Sequence, residues 1–175
     1  TRREIGYRKV NEGYLSPAQI FHLATKAAAE YAESASFPPD YALGQPLGPL
    51  SKRSTRGSRV LTAHSLLDAS KKALEVTETE GYMPSEIIVD RTTLSPEDYL
   101  ATLCSLLLQI IEGRRAPERL RVKRGYMVQT GHVKGRAFRE ACKWPVLPPN
   151  FSGPKILEQA FLQTWTLKPA IPSGH

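Results

Sequence analysis

Cysteine and long apolar runs are both scarce in this sequence. Its 175 residues include 2 cysteines, Cys104 and Cys142, and no CxxC pair, which excludes a disulfide framework and the common zinc motifs. No apolar run approaches the ~18 residues of a membrane span. The longest candidate, 99–111, contains Thr, Ser and Gln and predicts a buried helix. We therefore expect a globular chain without a membrane span.

Enzyme signatures are absent as well. The sequence contains no GxSxG, HExxH, P-loop or GxGxxG pattern. Its 4 histidines lack metal-ligand spacing, and acidic pairs such as Glu97–Asp98 and Glu78–Glu80 fall at helix ends, where dipole complementation and solvation explain them. We expect no catalytic residue, no metal site and no cofactor.

The net charge is +7, which permits an acidic partner. Much of the excess lies in 51–59 and in 114–124. The first stretch predicts an exposed loop that is either solvated or, through Lys52, Arg53 and Arg56, in contact with anionic groups. The second predicts a strand with a basic face, which either binds an anion or blunts a sheet edge. The residues of that face are Arg119, Arg121 and Lys123.

One local pattern recurs along the chain. Leu-Ser-Pro at 15–17 and at 94–96 predicts two helix starts in which Ser is the N-cap and Pro the first helical residue. Gln19 completes a capping box in the first of them. Thr62 and Ser152 begin similar segments. Four helices are therefore predicted to start in the same way.

The predicted ends of these helices agree too. Pro38, Pro84 and Pro117 follow their caps at equal spacing, and apolar residues with a period of two follow each proline. We predict an α+β fold in which tandem units of helix, proline turn and short strand stack into one compact domain. The units are 15–43, 61–89 and 94–122, with a closing helix at 151–168 and inserts at 44–60 and 123–150.

The middle of the chain, 66–103, resembles the pseudomurein-binding repeat family, and the resemblance is best over 61–122. The residues that carry it are Leu67, Asp68 and Ala69 in the helix, Met83, Pro84, Ile87 and Val89 in the turn and strand, and Leu94, Ser95, Tyr99 and Leu100 in the next helix start. The resemblance implies a non-catalytic module that attaches extracellular proteins to cell-wall polysaccharide. It also implies an extracellular or cell-surface location.

The expected function is thus non-catalytic binding of a cell-wall or extracellular polysaccharide, or of another anionic polymer. Tyr82 and Tyr126 join the six basic residues named above as candidate ligand contacts, because sugar rings stack on aromatic side chains. The alternative is a structural subunit of a filament, surface layer or larger complex, which binds other protein chains. Nucleic-acid binding and catalysis are weaker alternatives, since neither has a motif here.

Overall fold

The computed structural model describes residues 3–128 and 154–170, and in the last segment the side chains from 158 onward. Its helices are α1 (Pro17–Ser34), α2 (Ala63–Glu80), α3 (Pro96–Ile111) and α4 (Pro154–Gln163). Its strands are β1 (Arg3–Ile5), β2 (Arg8–Val10), β3 (Gly13–Leu15), β4 (Val60–Thr62), β5 (Ile87–Val89), β6 (Thr92–Leu94), β7 (Arg119–Arg121) and β8 (Gly125–Met127). The fold is compact and mixed α+β, as the sequence predicts.

The three long helices begin at the predicted caps. The side chains of Ser16, Thr62 and Ser95 each accept a hydrogen bond from the backbone N–H three residues further on. At Ser16 the capping box is complete, because the Ser16 N–H also donates to Gln19 Oε1 over 2.9 Å. Pro17 and Pro96 open their helices. The start predicted at Ser152 lies outside the described residues.

Each long helix is preceded by a strand with an antiparallel partner. The residue before each cap is a leucine: Leu15 pairs with Arg8, Leu61 with Leu120, and Leu94 with Ile87. The hairpins β2–β3 and β5–β6 turn alike, since Asn11 and Asp90 both have positive φ angles, of 53° and 52°. After glycine, Asn and Asp tolerate this left-handed conformation best. The strands before α1 and α3 therefore enter their helices from similar hairpins, whereas the strand before α2 pairs with a distant segment.

Two of the pairs connect α2 and α3 reciprocally. The strand before α2, β4, pairs with the strand after α3, β7. The strand after α2, β5, pairs with the strand before α3, β6. Both ladders are antiparallel. Leu61 pairs with Leu120, which lies three residues after Pro117, and Leu94 pairs with Ile87, which lies three residues after Pro84.

The strand predicted after the first proline is wrong. Residues 41–43 are irregular, whereas the predicted strand at 87–89 is confirmed and the one at 120–122 is found at 119–121. The difference lies in pairing: β5 and β7 have antiparallel partners in β6 and β4, whereas no described strand pairs with 41–43. The segment 42–46 instead lies beside α1 and α2.

A buried tyrosine joins the long helices in the core. The Tyr99 hydroxyl of α3 lies 2.8 Å from Ser70 Oγ of α2 and 3.4 Å from Thr25 Oγ1 of α1. Its ring centre is 5.3 Å from that of Phe21. Burial raises the pKa of Tyr99 to about 12. This contact ties three helices from distant parts of the sequence to one point.

The segment after α4 covers the start of α1. Trp165 is 1% exposed, its ring packs edge-on against Phe21, and its carbonyl accepts the Ala18 N–H over 2.8 Å. An early N–H of α1 thereby gains the partner that helix geometry leaves open. Gly48 allows the loop before α2 to pass close to the end of α4, since a Cβ at this position would stand 2.7 Å from the Leu162 carbonyl oxygen.

Candidate functional site

A pocket of about 230 Å³ lies between α3 and β7 and contains three of the predicted ligand residues. Its walls combine cations, hydroxyls, an amide and aliphatic groups. The lining residues are Thr102, Ser105, Leu106, Gln109, Pro117, Arg119, Leu120, Arg121 and Lys123. We name it the basic pocket.

Strand pairing sets the basic wall of this pocket. On β7, Arg119 lies opposite Thr62 and Arg121 opposite Val60 in the ladder with β4. Both arginines are exposed, while Leu120 between them is half-buried. The alternation of a strand thus places the two guanidinium groups on one side, as the sequence predicts.

The turn after β7 is fixed to α3 by side-chain hydrogen bonds. The Lys123 N–H donates to Thr102 Oγ1 over 2.9 Å, and that hydroxyl donates to the Asp98 carbonyl over 2.6 Å. Asp98 adds a second tie, because its Oδ1 accepts the Gly125 N–H over 2.9 Å. These bonds hold Lys123 at the pocket and connect both ends of the turn to one helix.

The three cations of the pocket are not neutralised by the described part of the chain. Within residues 3–128 and 154–170, Arg119, Arg121 and Lys123 form no ion pair with a carboxylate. Elsewhere such pairs do form: Arg59 lies 3.7 Å from Asp98, and Arg114 pairs with Glu112. Among the described residues, the pocket therefore presents positive charge without an acidic partner.

The other basic candidates lie apart from the pocket. The loop that carries Lys52, Arg53 and Arg56 is held by this chain itself: Arg56 exchanges two backbone hydrogen bonds with Thr93, of 2.8 and 2.9 Å. The three side chains are exposed, and the Lys52 ammonium lies 4.1 Å from the ring centre of Phe161. The loop is therefore anchored through its backbone, and its cations do not line the basic pocket.

The two tyrosine candidates are also separate from it. Tyr82 is half-buried beside Leu47, with its hydroxyl 3.5 Å from a Glu80 carboxylate oxygen. Tyr126 is half-buried in β8, opposite Glu4 of β1. Neither ring lines the basic pocket.

The polar wall of the pocket was missed in the sequence. Thr102, Ser105 and Gln109 lie three and four residues apart and so share one face of α3. Their signal is the set of polar interruptions in the apolar segment 99–111. Those interruptions indicate a polar stripe, but only the packing of α3 beside β7 shows what the stripe faces.

Two further pockets occur in the described structure. One, of about 510 Å³, lies between β1, α1 and α3 and includes Cys104, whose pKa burial raises to about 11. The other, of about 350 Å³, includes the buried His22, whose Nε2 lies 3.5 Å from a Glu78 carboxylate oxygen. Over the described ranges, no cluster of three or more histidine, cysteine or acidic side chains could hold a metal ion.

Comparison with known proteins gives no match: no family model, no curated protein and no solved structure is similar to this chain. The resemblance of 66–103 to the pseudomurein-binding repeats therefore stays a prediction from its residues. None of the helices in the described segments is both long and apolar enough to cross a bilayer. Function has to be argued from the chain's own geometry.

Proposed function

We propose that this chain is a non-catalytic binding module for an anionic cell-wall or extracellular polysaccharide. The observation that carries the proposal is the basic pocket, where Arg119, Arg121 and Lys123 stand without an acidic partner among the described residues. Guanidinium groups bind carboxylates and phosphates through paired hydrogen bonds. A partner that supplies such groups would neutralise the pocket.

The polar wall supports a sugar as the carrier of the acid group. Ser105 and Gln109 provide a hydroxyl and an amide, which can both donate and accept hydrogen bonds, and Leu106 and Leu120 provide apolar surface. A sugar ring offers hydroxyls and an apolar C–H face in the same way. The volume of about 230 Å³ lies below the ~300–1,000 Å³ of drug-sized sites and suits one acidic sugar unit.

The lining also supports binding without catalysis. Among the described residues around the pocket there is no histidine, cysteine or carboxylate that could serve as a general base or nucleophile. Ser105 has neither a histidine nor a carboxylate beside it among the described lining residues. A polymer bound at this wall would be held and released unchanged.

We further propose that the fold consists of stacked repeats of the pseudomurein-binding type. The shared caps at Ser16, Thr62 and Ser95 support this, as does the antiparallel pairing of the leucine before each cap. Such modules act outside the cell, so the proposed location is the cell surface or the extracellular space.

The test is co-sedimentation with insoluble polygalacturonate, which carries carboxylates, and with insoluble wall teichoic acid, which carries phosphates. Each polymer has a neutralised counterpart as control. We expect the wild type to pellet with at least one polyanion and not with its neutral form. Replacing Arg119→Gln and Arg121→Gln together should weaken binding about a hundredfold or more, because each of the two charged hydrogen bonds contributes ~1.5–3 kcal/mol.

A matched control variant removes two other exposed cations, Lys72→Gln and Arg91→Gln, which lie on α2 and in the β5–β6 turn. It carries the same net charge as the test variant. If both double variants lose binding equally, attraction is a property of total charge and the basic pocket has no special role. If the wild type pellets with neither polyanion, the proposed function is wrong.

A second candidate function is a structural subunit that binds other protein chains. The observation in its favour is a set of exposed leucines beside or within the first insert: Leu43, Leu47 and Leu50 are 48, 63 and 62% exposed. Exposed apolar patches mark protein interfaces. Sedimentation velocity distinguishes the two functions, since a subunit forms a defined oligomer without any polysaccharide, whereas the binding module is a monomer that pellets only with the polymer.

A further inference from the structure

Two of the pockets meet at one small residue. Ser105 lines the basic pocket and also the pocket of about 510 Å³ on the adjoining face of α3, which we name the apolar pocket. Ser105 is half-buried. Because its side chain is short, it forms a low ridge between the two pockets.

The apolar pocket has a different lining. Ile20, Leu100 and Leu108 supply aliphatic surface, and Leu108 is 52% exposed. Two arginines of the N-terminal strands, Arg3 and Arg8, also belong to its wall, together with the carboxylate of Glu4. The cationic groups therefore outnumber the carboxylate in this pocket.

One of these arginines is held in position. The Arg8 guanidinium donates to the Tyr7 carbonyl over 3.2 Å and to the Glu4 carbonyl over 3.3 Å. These bonds to backbone oxygens leave its positive charge uncompensated, since no described carboxylate pairs with it. Positioning a cation in advance lowers the entropy lost when an anion binds.

We propose that the basic and apolar pockets form one track for an acidic polysaccharide, which crosses α3 over Ser105. This inference rests on the proposed function and deepens it, because it states how the polymer lies. One sugar unit places its acid group against Arg119 and Arg121. A neighbouring unit sets its apolar ring face on the aliphatic surface, with its acid group toward Arg8.

Both pockets lie beside the same turns of α3, since the basic pocket uses residues from Thr102 to Gln109 and the apolar pocket uses residues from Leu100 to Leu108. A polymer that passes from one pocket to the other therefore crosses the helix rather than following it. The charges at the two sides match a polymer in which acid groups recur along the chain. A single small anion would use only one side.

The track predicts that affinity depends on ligand length. The probes are size-fractionated oligosaccharides from whichever polyanion pellets the wild type, from monomer to hexamer, measured by isothermal titration calorimetry. Linking two contacts makes the second contact intramolecular, so the longest oligomers should bind the wild type at least tenfold more tightly than the monomer.

Arg8→Gln removes the cation of the apolar pocket and leaves the basic pocket untouched, and Arg91→Gln, an exposed cation that lines neither pocket, is the matched control. We expect Arg8→Gln to remove the length dependence while the monomer still binds, and Arg91→Gln to retain it. Length dependence that survives in Arg8→Gln overturns the track. A wild type that pellets with the polymer but shows no length dependence overturns the track and leaves the proposed function standing. Failure to pellet at all overturns both.

Discussion

The three-helix junction at Tyr99 can be tested by removing a single oxygen atom. In Tyr99→Phe the ring stays in place, 5.3 Å from Phe21, but the hydroxyl beside Ser70 and Thr25 is lost. Ser70 keeps its own hydrogen bond to the Leu66 carbonyl, of 2.9 Å. The variant therefore leaves one hydroxyl acceptor unpaired in the core and creates almost no cavity.

The expected cost at neutral pH follows from that loss. One unmade buried hydrogen bond lowers the free energy of unfolding by about 1–2 kcal/mol. For a domain of this size, each kcal/mol lowers the melting temperature by about 2–4 °C. The control is Tyr7→Phe, which also removes one phenol hydroxyl, but from an exposed side chain. It should change the free energy of unfolding little.

The pH dependence has a definite sign. Burial raises the pKa of Tyr99 to about 12 in the folded state, whereas the ordinary pKa of a tyrosine is 10.0. The unfolded chain therefore loses this proton first, and the stabilisation present below pH 10 is lost as the pH rises toward 12. The loss amounts to about 3 kcal/mol. It is absent in Tyr99→Phe, so the variant should become the more stable protein near pH 11.

The assay is urea unfolding of the wild type, Tyr99→Phe and Tyr7→Phe at several pH values between 8 and 11.5, a range that brackets the crossover expected from the raised pKa of about 12. Subtracting each variant from the wild type cancels the titration of all other groups. A difference between wild type and Tyr99→Phe that stays constant over this range would show that the hydroxyl is not buried among three helices, and the junction would have to be redrawn.

Two further predictions concern α3 and its neighbours. Burial raises the pKa of Cys104 to about 11, so the thiol is protonated at pH 8. Iodoacetamide should therefore label Cys104 much more slowly in the native chain than in the urea-unfolded chain, as measured by peptide mass mapping. Equal labelling rates would contradict the burial of this thiol. A Cβ at Gly125 would stand 2.1 Å from the Glu97 carbonyl oxygen. Gly125→Ala should therefore lower the free energy of unfolding, measured by urea titration, by ~1–3 kcal/mol. An unchanged urea midpoint would refute the close approach of β8 to α3.

The helix starts could be read from sequence because they are local. The cap at Ser16 depends on Gln19 in the same turn, and the same short-range chemistry holds at Thr62 and Ser95. The basic face of β7 was predictable for a similar reason, since alternation along a strand needs no knowledge of its neighbours. The exposure of Arg119 and Arg121 on one face of the strand could therefore be predicted.

The rest depends on contacts between distant segments. A strand at 41–43 has a suitable pattern, but no described strand lies beside it as a partner. The same applies to the pocket: Ser105 and Gln109 become site residues only because α3 lies beside β7. Neither relation can be inferred from spacing along one element.

The reciprocal ladders of α2 and α3 determine how this region can be divided into fragments. Each helix carries one strand before it and one after it, and the partner of each strand belongs to the other helix. This is the pairing pattern of an isologous dimer, here covalently joined between β5 and β6. A fragment with only one of these helices would expose two unpaired strand edges and would tend to self-associate. The smallest separable piece of this region is therefore a pair of helices.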